Sequence, residues 1–344
     1  TFTADIFERK VTDILIPGGK DYPALIGDDD LPFENAGILK TTGFELQAKW
    51  SDKLANGFRY SVGVALSDDK AKVVSYPSNP TNKIGDGVLY KGYTVGDIWG
   101  YVTGGILQEG DFDGVGANGK PLYHGPYFKG GQAYPGYIWY QDLDHDGVIT
   151  TGLNTVDDPG DRKVIGNNAP RYRYNITANF QYKGFDLDLM FQGVGKRDIW
   201  GAGFLAIPGF NTSDGAMPQA IAENYWREDR TNAFYPAAYN MAGSNTGFNM
   251  QTQDRYLLNM SYFRIKNITL GYTLPAVWTK KVLINKARIY VACENFFTFD
   301  NLRGLPIDPE AISGYSMFST NYNLGRTGTG TPVFKSLSCG VQLT

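Results

Sequence analysis

Polar and apolar residues alternate along much of the chain with the period of a half-buried strand. Phe44, Leu46, Ala48 and Trp50 share one face, and Glu45, Gln47 and Lys49 share the other. The polar turn Ser51–Gly57 leads into a second run. There Phe58, Tyr60, Val62, Val64 and Leu66 alternate with Arg59, Ser61, Gly63, Ala65 and Ser67. The clearest hairpin follows later. Tyr172, Tyr174, Ile176, Ala178, Phe180 and Tyr182 form one face, Lys183-Gly184 makes a tight turn, and Phe185, Leu187, Leu189 and Phe191 return along the same face. A run near 261–274 changes phase at Asn267, which predicts a bulge. Further strands are predicted over 288–293 and 337–344. With the opening segment, about eight strong strands emerge, and helical periodicity is hard to find.

These strands are long, roughly ten or more residues, against a usual five or six. Their polar faces carry charge, and their apolar faces begin and end in aromatics. A transmembrane β-barrel needs this arrangement, because backbone groups in lipid must all be paired in a closed sheet. The connections alternate in length. Ser51–Gly57, Lys183-Gly184 and Pro275–Lys286 are short, whereas 15–38, 70–170, 200–260 and 300–332 are long and rich in Gly, Asn, Asp, Pro and Tyr. Short periplasmic turns and long extracellular loops follow that rule. If the chain ends in the periplasm, 70–170 lies outside and adds no net crossing. A large secreted β-sandwich or propeller is the soluble alternative.

Composition narrows the choice. Of 344 residues, 42 are Gly, 23 Tyr, 20 Phe and 6 Trp, and only 19% are charged. This is too aromatic and too poorly charged for a disordered chain, and Gly has no collagen period. A net charge of -3 without a basic stripe argues against nucleic-acid binding. Cys293 and Cys339 lack the spacing of a zinc site or a disulfide scaffold. His124 and His145 are the only histidines, so a His-based zinc or triad site is improbable. No apolar run approaches a membrane-spanning helix. The first residues read as the middle of a longer chain, with any signal peptide upstream.

The ordered motifs along this pattern resemble those of a known family. Glu34-Asn35-Ala36-Gly37 with Thr42-Gly43-Phe44-Glu45-Leu46, and Gly92–Tyr101, are similar to stretches of the SusC/RagA TonB-linked outer-membrane proteins. So are Asp142–Ile149 followed by Asp161–Asn167, Lys183–Leu187, Phe191-Gln192-Gly193, Phe263–Tyr272 and Glu294–Thr298. The resemblance implies an all-β, antiparallel transmembrane barrel of about 22 strands with an internal plug. Residues 1–344 would be the C-terminal part of that single barrel domain, with plug and signal peptide outside it. It further implies a non-enzymatic importer in a Gram-negative, Bacteroidetes-like outer membrane. That importer would carry oligosaccharides or peptides and couple to the TonB complex through an N-terminal region. A SusD-like surface lipoprotein would cap loops such as 70–170 and 200–260. A self-contained eight-stranded barrel is a weaker alternative. Ser338, Gly340 and Leu343 fit a closing barrel signal whose aromatic would fall one residue after Thr344.

Candidate chemistry is sparse. Asp142, Asp144 and Asp146 precede Gly147 at alternate positions, the pattern that bends carboxylates round a hard cation such as Ca2+. The Val148 carbonyl would be a further ligand. The twelfth position is Leu153, and the next acids are Asp157, Asp158 and Asp161, of which the resemblance favours Asp161. The expected role is structural, tying down a loop, and the same residues also fit a solvated Asp-rich turn without metal. Aromatic clusters (Tyr90, Tyr93, Trp99, Tyr101; Tyr134, Tyr137, Trp139, Tyr140; Tyr225, Trp226) suit solute or partner contacts, and equally loop cores or girdles. Arg59, Arg173, Asn175, Asn179, Gln181, Asp186 and Asp188 would face the lumen and hydrate it or hold the plug. The triplet Asp28-Asp29-Asp30 reads as a solvated loop, and neither nucleophile elbow nor phosphate-binding loop is present.

Overall fold

The computed structural model describes residues 1–17, 33–85, 88–201, 219–238, 249, 251–310 and 333–344. Eight strands form one antiparallel sheet: β1 (Phe2–Pro17), β2 (Phe33–Lys53), β3 (Arg59–Ser75), β4 (Arg171–Tyr182), β5 (Phe185–Lys196), β6 (Tyr262–Thr273), β7 (Ala287–Asp300) and β8 (Ser336–Leu343). Their spatial order equals their chain order, so the sheet is a pure meander. β1 and β8 are its two edges and do not pair with each other. A closed eight-stranded barrel is therefore not formed. A propeller or sandwich is not formed either, since the described strands outside this sheet make only two-stranded ladders.

Local chemistry sets the register. Lys183 and Gly184 have φ of 47° and 89°, the two left-handed positions of a type I′ turn, which matches the twist of a hairpin. The phase change near Asn267 is a bulge. Ile265 pairs with Phe191 and Asn267 with Met190, leaving Lys266 as the extra residue. On the facing strand Asn295 and Phe296 are skipped as well, and Asn295 adopts a φ of 55°. The strands outrun their sequence alternation. Pairing of β1 with β2 continues to Pro17 and Phe33, past irregularities around Asp13 that break the period-two pattern.

The meander sorts its side chains. One face carries Phe180, Leu187, Leu270 and Val291 in a single cross-strand row. The opposite face carries Gln181, Asp186, Gly271 and Tyr290 in the next row. The apolar face is bare: Leu270, Ile289, Phe297, Phe299, Leu337 and Val341 are all exposed. The main core lies elsewhere, in a cap built from the long connections. Stretches 101–149, 221–237, 256–260 and 302–307 pool Tyr101, Ile138, Tyr140, Trp226, Tyr256 and Leu302 into one buried cluster. Short ladders brace it, pairing Asp97–Tyr101 with Arg162–Asn167, and Thr103–Ile106 with Ile138–Tyr140. All even-numbered hairpin joints (β2–β3, β4–β5, β6–β7) are short and lie at the end remote from the cap. No helix among the described residues is long and apolar enough to cross a membrane, which says nothing of a β-barrel.

Candidate functional site: a charged wall beneath an aromatic cap

The polar face of the sheet is concave. Near the cap it lines a space of about 870 Å3 with Arg173, Asn175, Gln192, Arg197, Lys266 and Glu310. Its charges are paired across strands. Arg288 on β7 donates to Asp186 on β5 at 3.0 Å and to Gln342 on β8 at 3.1 Å. Arg173 binds Asp69 on this face, and beside it, at the cap-side end of the strands, Arg171 is bidentate to Asp68. Asn179 donates to Asp188. Of the residues expected to face the lumen, Arg173, Asn175, Asn179, Asp186 and Asp188 thus sit in one laced surface, with Arg59 and Gln181 paired near its far end.

The most buried charge on this face is Arg264, with its side chain only 4% exposed. It donates to Asp308 at 2.8 Å, to Glu310 and to Thr298. Lys266 and the Tyr262 hydroxyl both reach Glu310 at 2.9 Å. Two cations thus meet two carboxylates, so the burial leaves no net charge uncompensated. Burial alone would raise the Asp308 carboxyl. The Glu310 N–H and the Arg264 guanidinium outweigh it and hold the group below its ordinary range. This knot fastens segment 301–310 to the wall. Its pairing could not be read from sequence, because Asp308 and Glu310 lie in a stretch with no periodic pattern.

The expected solute-contact rings occupy different places. Tyr101, Tyr137, Tyr140 and Trp226 are buried, and their rings pack the cap from within. Tyr101 lies 5.2 Å from Tyr140 and 5.4 Å from Phe128, centroid to centroid. Burial pushes the Tyr140 hydroxyl far up. Trp226 donates to Gln108 at 3.0 Å. Tyr93, Trp99, Trp139 and Tyr225 are half-buried. Trp99 donates to the Tyr90 hydroxyl at 2.9 Å, and Trp139 covers Gly104 so closely that a Cβ there would lie 2.1 Å from the ring. Arg230 stacks over Tyr225 at 5.1 Å. Two residues without any sequence signal complete the cap. Gln253 donates to the Tyr140 hydroxyl at 3.0 Å, and Asn249 accepts the Ile138 N–H at 2.8 Å.

The acidic loop curls on itself. Asp142, Asp144 and Asp146 bring one carboxylate oxygen each within 4.8 Å of one another. Asp142 accepts the His145 and Gly147 N–H groups at 2.7 and 2.9 Å, and Asp146 accepts that of Val148 at 2.8 Å. His145 and Gly147 take the left-handed φ that this curl requires, 64° and 87°. Asp161 is fully buried beside this loop, outside the group of three. It spends one oxygen on the Leu143 N–H and the other on the Thr150 N–H. Burial raises its carboxyl. Val148 itself is paired beside Tyr127 in a short parallel ladder. The predicted loops are described only in part: 18–32 (with the triplet Asp28-Asp29-Asp30), 202–218, 239–248 and 311–332 lie outside the described residues.

No family model matches the sequence. The TonB-dependent receptor P3 of Formosa agariphila is 26% identical, aligned over 98% of this chain and 32% of the receptor. The TonB-dependent receptor SusC of Bacteroides thetaiotaomicron is 24% identical over 90% of this chain and 28% of its own length. The chain therefore spans about a third of the length of the curated relatives it matches. Among solved structures, the RagAB peptide importer in its open-open state superposes with a TM-score of 0.64 at 19% identity, covering 99% of this chain and 32% of that one. In the closed-closed state the TM-score is 0.65 at 17% identity, again over 99% of this chain and 33% of that one. The fold class is thus a partial antiparallel all-β barrel. Within that class the chain is SusC/RagA-like, similar along nearly its whole length to TonB-dependent receptors.

Proposed function

We propose that this chain forms part of the wall and outer cap of a TonB-dependent outer-membrane importer of the SusC type. The observation that carries the reading is a pair of aromatic belts on the bare face. Near the short turns, Phe58 lies about 6 Å from Tyr60, Phe180 and Tyr182, and Phe185 lies 4.5 Å from Tyr272. Near the cap, Phe263 stacks with Tyr174 and Phe191 at 6.4 and 5.5 Å and meets Phe299 at a tilt at 6.0 Å. Between the belts the face is aliphatic, with Ile176, Ala178, Leu189 and Ile268. From Tyr182 to Tyr174 the strand climbs about 27 Å, or about 20 Å along a barrel axis tilted by roughly 40°. That approaches the apolar band of about 25 Å found on outer-membrane barrels. Water would fill the other side, where paired charges hydrate the passage without leaving a strong field of one sign.

In this reading a solute is captured at the cap end and passes along the charged wall once a plug moves aside. Energy would come through the TonB complex, and a SusD-like lipoprotein would sit on the cap. The solute class is an oligosaccharide or a peptide. RagAB is described as a peptide importer, and that description supports weighing peptides alongside glycans. The acidic loop fits calcium in its donor chemistry: three clustered carboxylates on a curled, Gly-containing turn. Asp142, Asp144 and Asp146 would hold the ion, which would supply positive charge that locks the loop. Asp161 holds the loop backbone through the Leu143 and Thr150 N–H groups. No catalytic step is assigned.

Uptake by cells carrying the full-length receptor tests this. Cells lacking it are expected to lose import of either a glycan or a peptide pool, with the protein recovered in the outer-membrane fraction. Recovery of the native protein in the aqueous phase would overturn the reading. For the metal, calcium is expected to raise the cap's resistance to protease and chelation to lower it. An Asp144→Asn variant indifferent to calcium, beside a wild type equally indifferent, would remove the ion from the account.

A further inference from the structure

We propose that the turn joining β6 to β7 is an interfacial anchor that seats on phospholipid headgroups at the short-turn end of the wall. The inference rests on the membrane-barrel reading above and assigns it a lipid-binding element of its own. From Leu270 to Cys293 the sequence contains no Asp or Glu, yet it carries Lys280, Lys281, Lys286 and Arg288. The turn folds as a short helix, Ala276–Thr279, followed by a tighter turn, Lys280–Val282. Thr279 is buried, whereas Val277 is 73% exposed, Trp278 61% and Leu283 96%. Leu283 adopts a φ of 61°, uncommon for a residue with a Cβ, and its N–H donates to the Lys280 carbonyl at 3.2 Å.

The backbone holding these side chains out is pinned on both sides. The Leu274 N–H donates to the Ala287 carbonyl at 2.9 Å, and the Lys286 and Thr344 N–H groups exchange bonds of 2.9 Å with each other's carbonyls. The three apolar groups are therefore presented by a fixed frame, in a conformation that leaves them in water unless something covers them. The frame also fixes their depth. The Thr273 N–H donates to the Gly184 carbonyl at 2.7 Å, which sets the turn beside the Phe185–Tyr272 ring pair of the lower belt. Water inside the wall is not their partner. The concavity at this end is lined by Asp186, Thr273, Lys286 and Arg288, among others, and by none of Val277, Trp278 or Leu283.

Two features favour lipid over a protein as the occupant. The patch continues the bare apolar face, whose exposed Leu270, Ile289, Val341 and Leu343 lie at the same end. Arg288 is paired with Asp186 inside the wall, so the cations left to the turn itself are Lys280 and Lys281, complementary to phosphate, and a Trp beside lysines is the signature of an element lying in the headgroup layer.

The test uses the full-length receptor in vesicles of phosphatidylethanolamine and phosphatidylglycerol, with p-benzoylphenylalanine placed at 278 or, as a reference, at 185. Both positions are expected to crosslink to phospholipid on illumination. Lys280→Gln with Lys281→Gln is expected to cut the yield at 278 several-fold and to leave that at 185 unchanged. Crosslinking at 185 without lipid capture at 278, or capture of a protein at 278, would overturn the anchor while leaving the barrel intact. An unchanged yield at 278 in the double variant would overturn the headgroup contact. Failure at 185 as well would overturn the membrane reading on which the anchor rests.

Discussion

The wall and the cap solve the same problem in opposite ways. In the wall, large apolar side chains stay exposed and polar ones turn inward, so stability rests on the hydrogen-bonded ladder and on whatever covers the outer face. In the cap, rings and aliphatic groups bury one another, as in a small soluble domain. A Tyr in the wall and a Tyr in the cap therefore carry different meanings. Tyr182 belongs to a belt on an open face, whereas Tyr140 is sealed in a core and hydrogen-bonded by Gln253. The difference teaches that aromatic richness alone cannot distinguish a binding surface from a packed interior.

Substitutions should separate the two regions. The largest effect is expected from Tyr140→Ala, which opens a cavity and removes one of the acceptors of the Gln253 amide. A loss of about 3–5 kcal/mol is expected for deleting so large a buried ring. Limited proteolysis should then cut the cap while the eight-stranded sheet of the wall stays uncut. Ile268→Arg should do the reverse. It places a charge midway between the belts, and about 2–4 kcal/mol of wall stability should be lost in lipid, read by chemical unfolding in vesicles. Cap proteolysis should be unaffected.

A smaller effect is expected at Gly104. Any Cβ there meets the Trp139 ring at 2.1 Å, so Gly104→Ala must displace the indole and should lower cap stability by about 1–3 kcal/mol. Gly110→Ala, where nothing lies within 4 Å, is the matched control and should change the melting temperature little. The smallest and most conditional effect concerns the knot between wall and cap. Asp308 has a carboxyl held below its ordinary range, so its contribution is present above the unfolded pKa and is lost as pH falls through the folded value. Segment 301–310 should stay docked through neutral and mildly acidic pH and release only below the usual carboxylate range. Asp308→Asn, which lacks the charge at every pH, should loosen the segment already at neutral pH and shrink the further change on acidification, monitored by protease access to the segment as pH is lowered.

Legibility followed the same divide. The wall could be read because each strand reports its faces locally. The Lys183-Gly184 turn and the bulge beside Asn267 follow from adjacent residues alone. Strand ends were less legible, since β1 and β2 keep pairing beyond Asp13, where the alternation stops. The cap resisted reading because its partners are remote in sequence. Asn249 holds Ile138, and Arg264 holds Asp308 and Glu310, with no period linking them. The same holds for Asp161, one of three acids the spacing leaves open and the one the resemblance favours, whose bonds to the Leu143 and Thr150 N–H groups no local pattern announces.

The central claim is that the two faces of one strand meet different solvents. It is tested most directly by spin labels placed singly at positions 185 to 192 of β5, in the full-length receptor reconstituted in vesicles, with Cys293 and Cys339 replaced by Ser. The account predicts a strict two-residue alternation. Oxygen, which partitions into lipid, should reach labels at 185, 187, 189 and 191, and a water-soluble nickel complex should reach those at 186, 188, 190 and 192. Equal access of the nickel complex to both sets would contradict it.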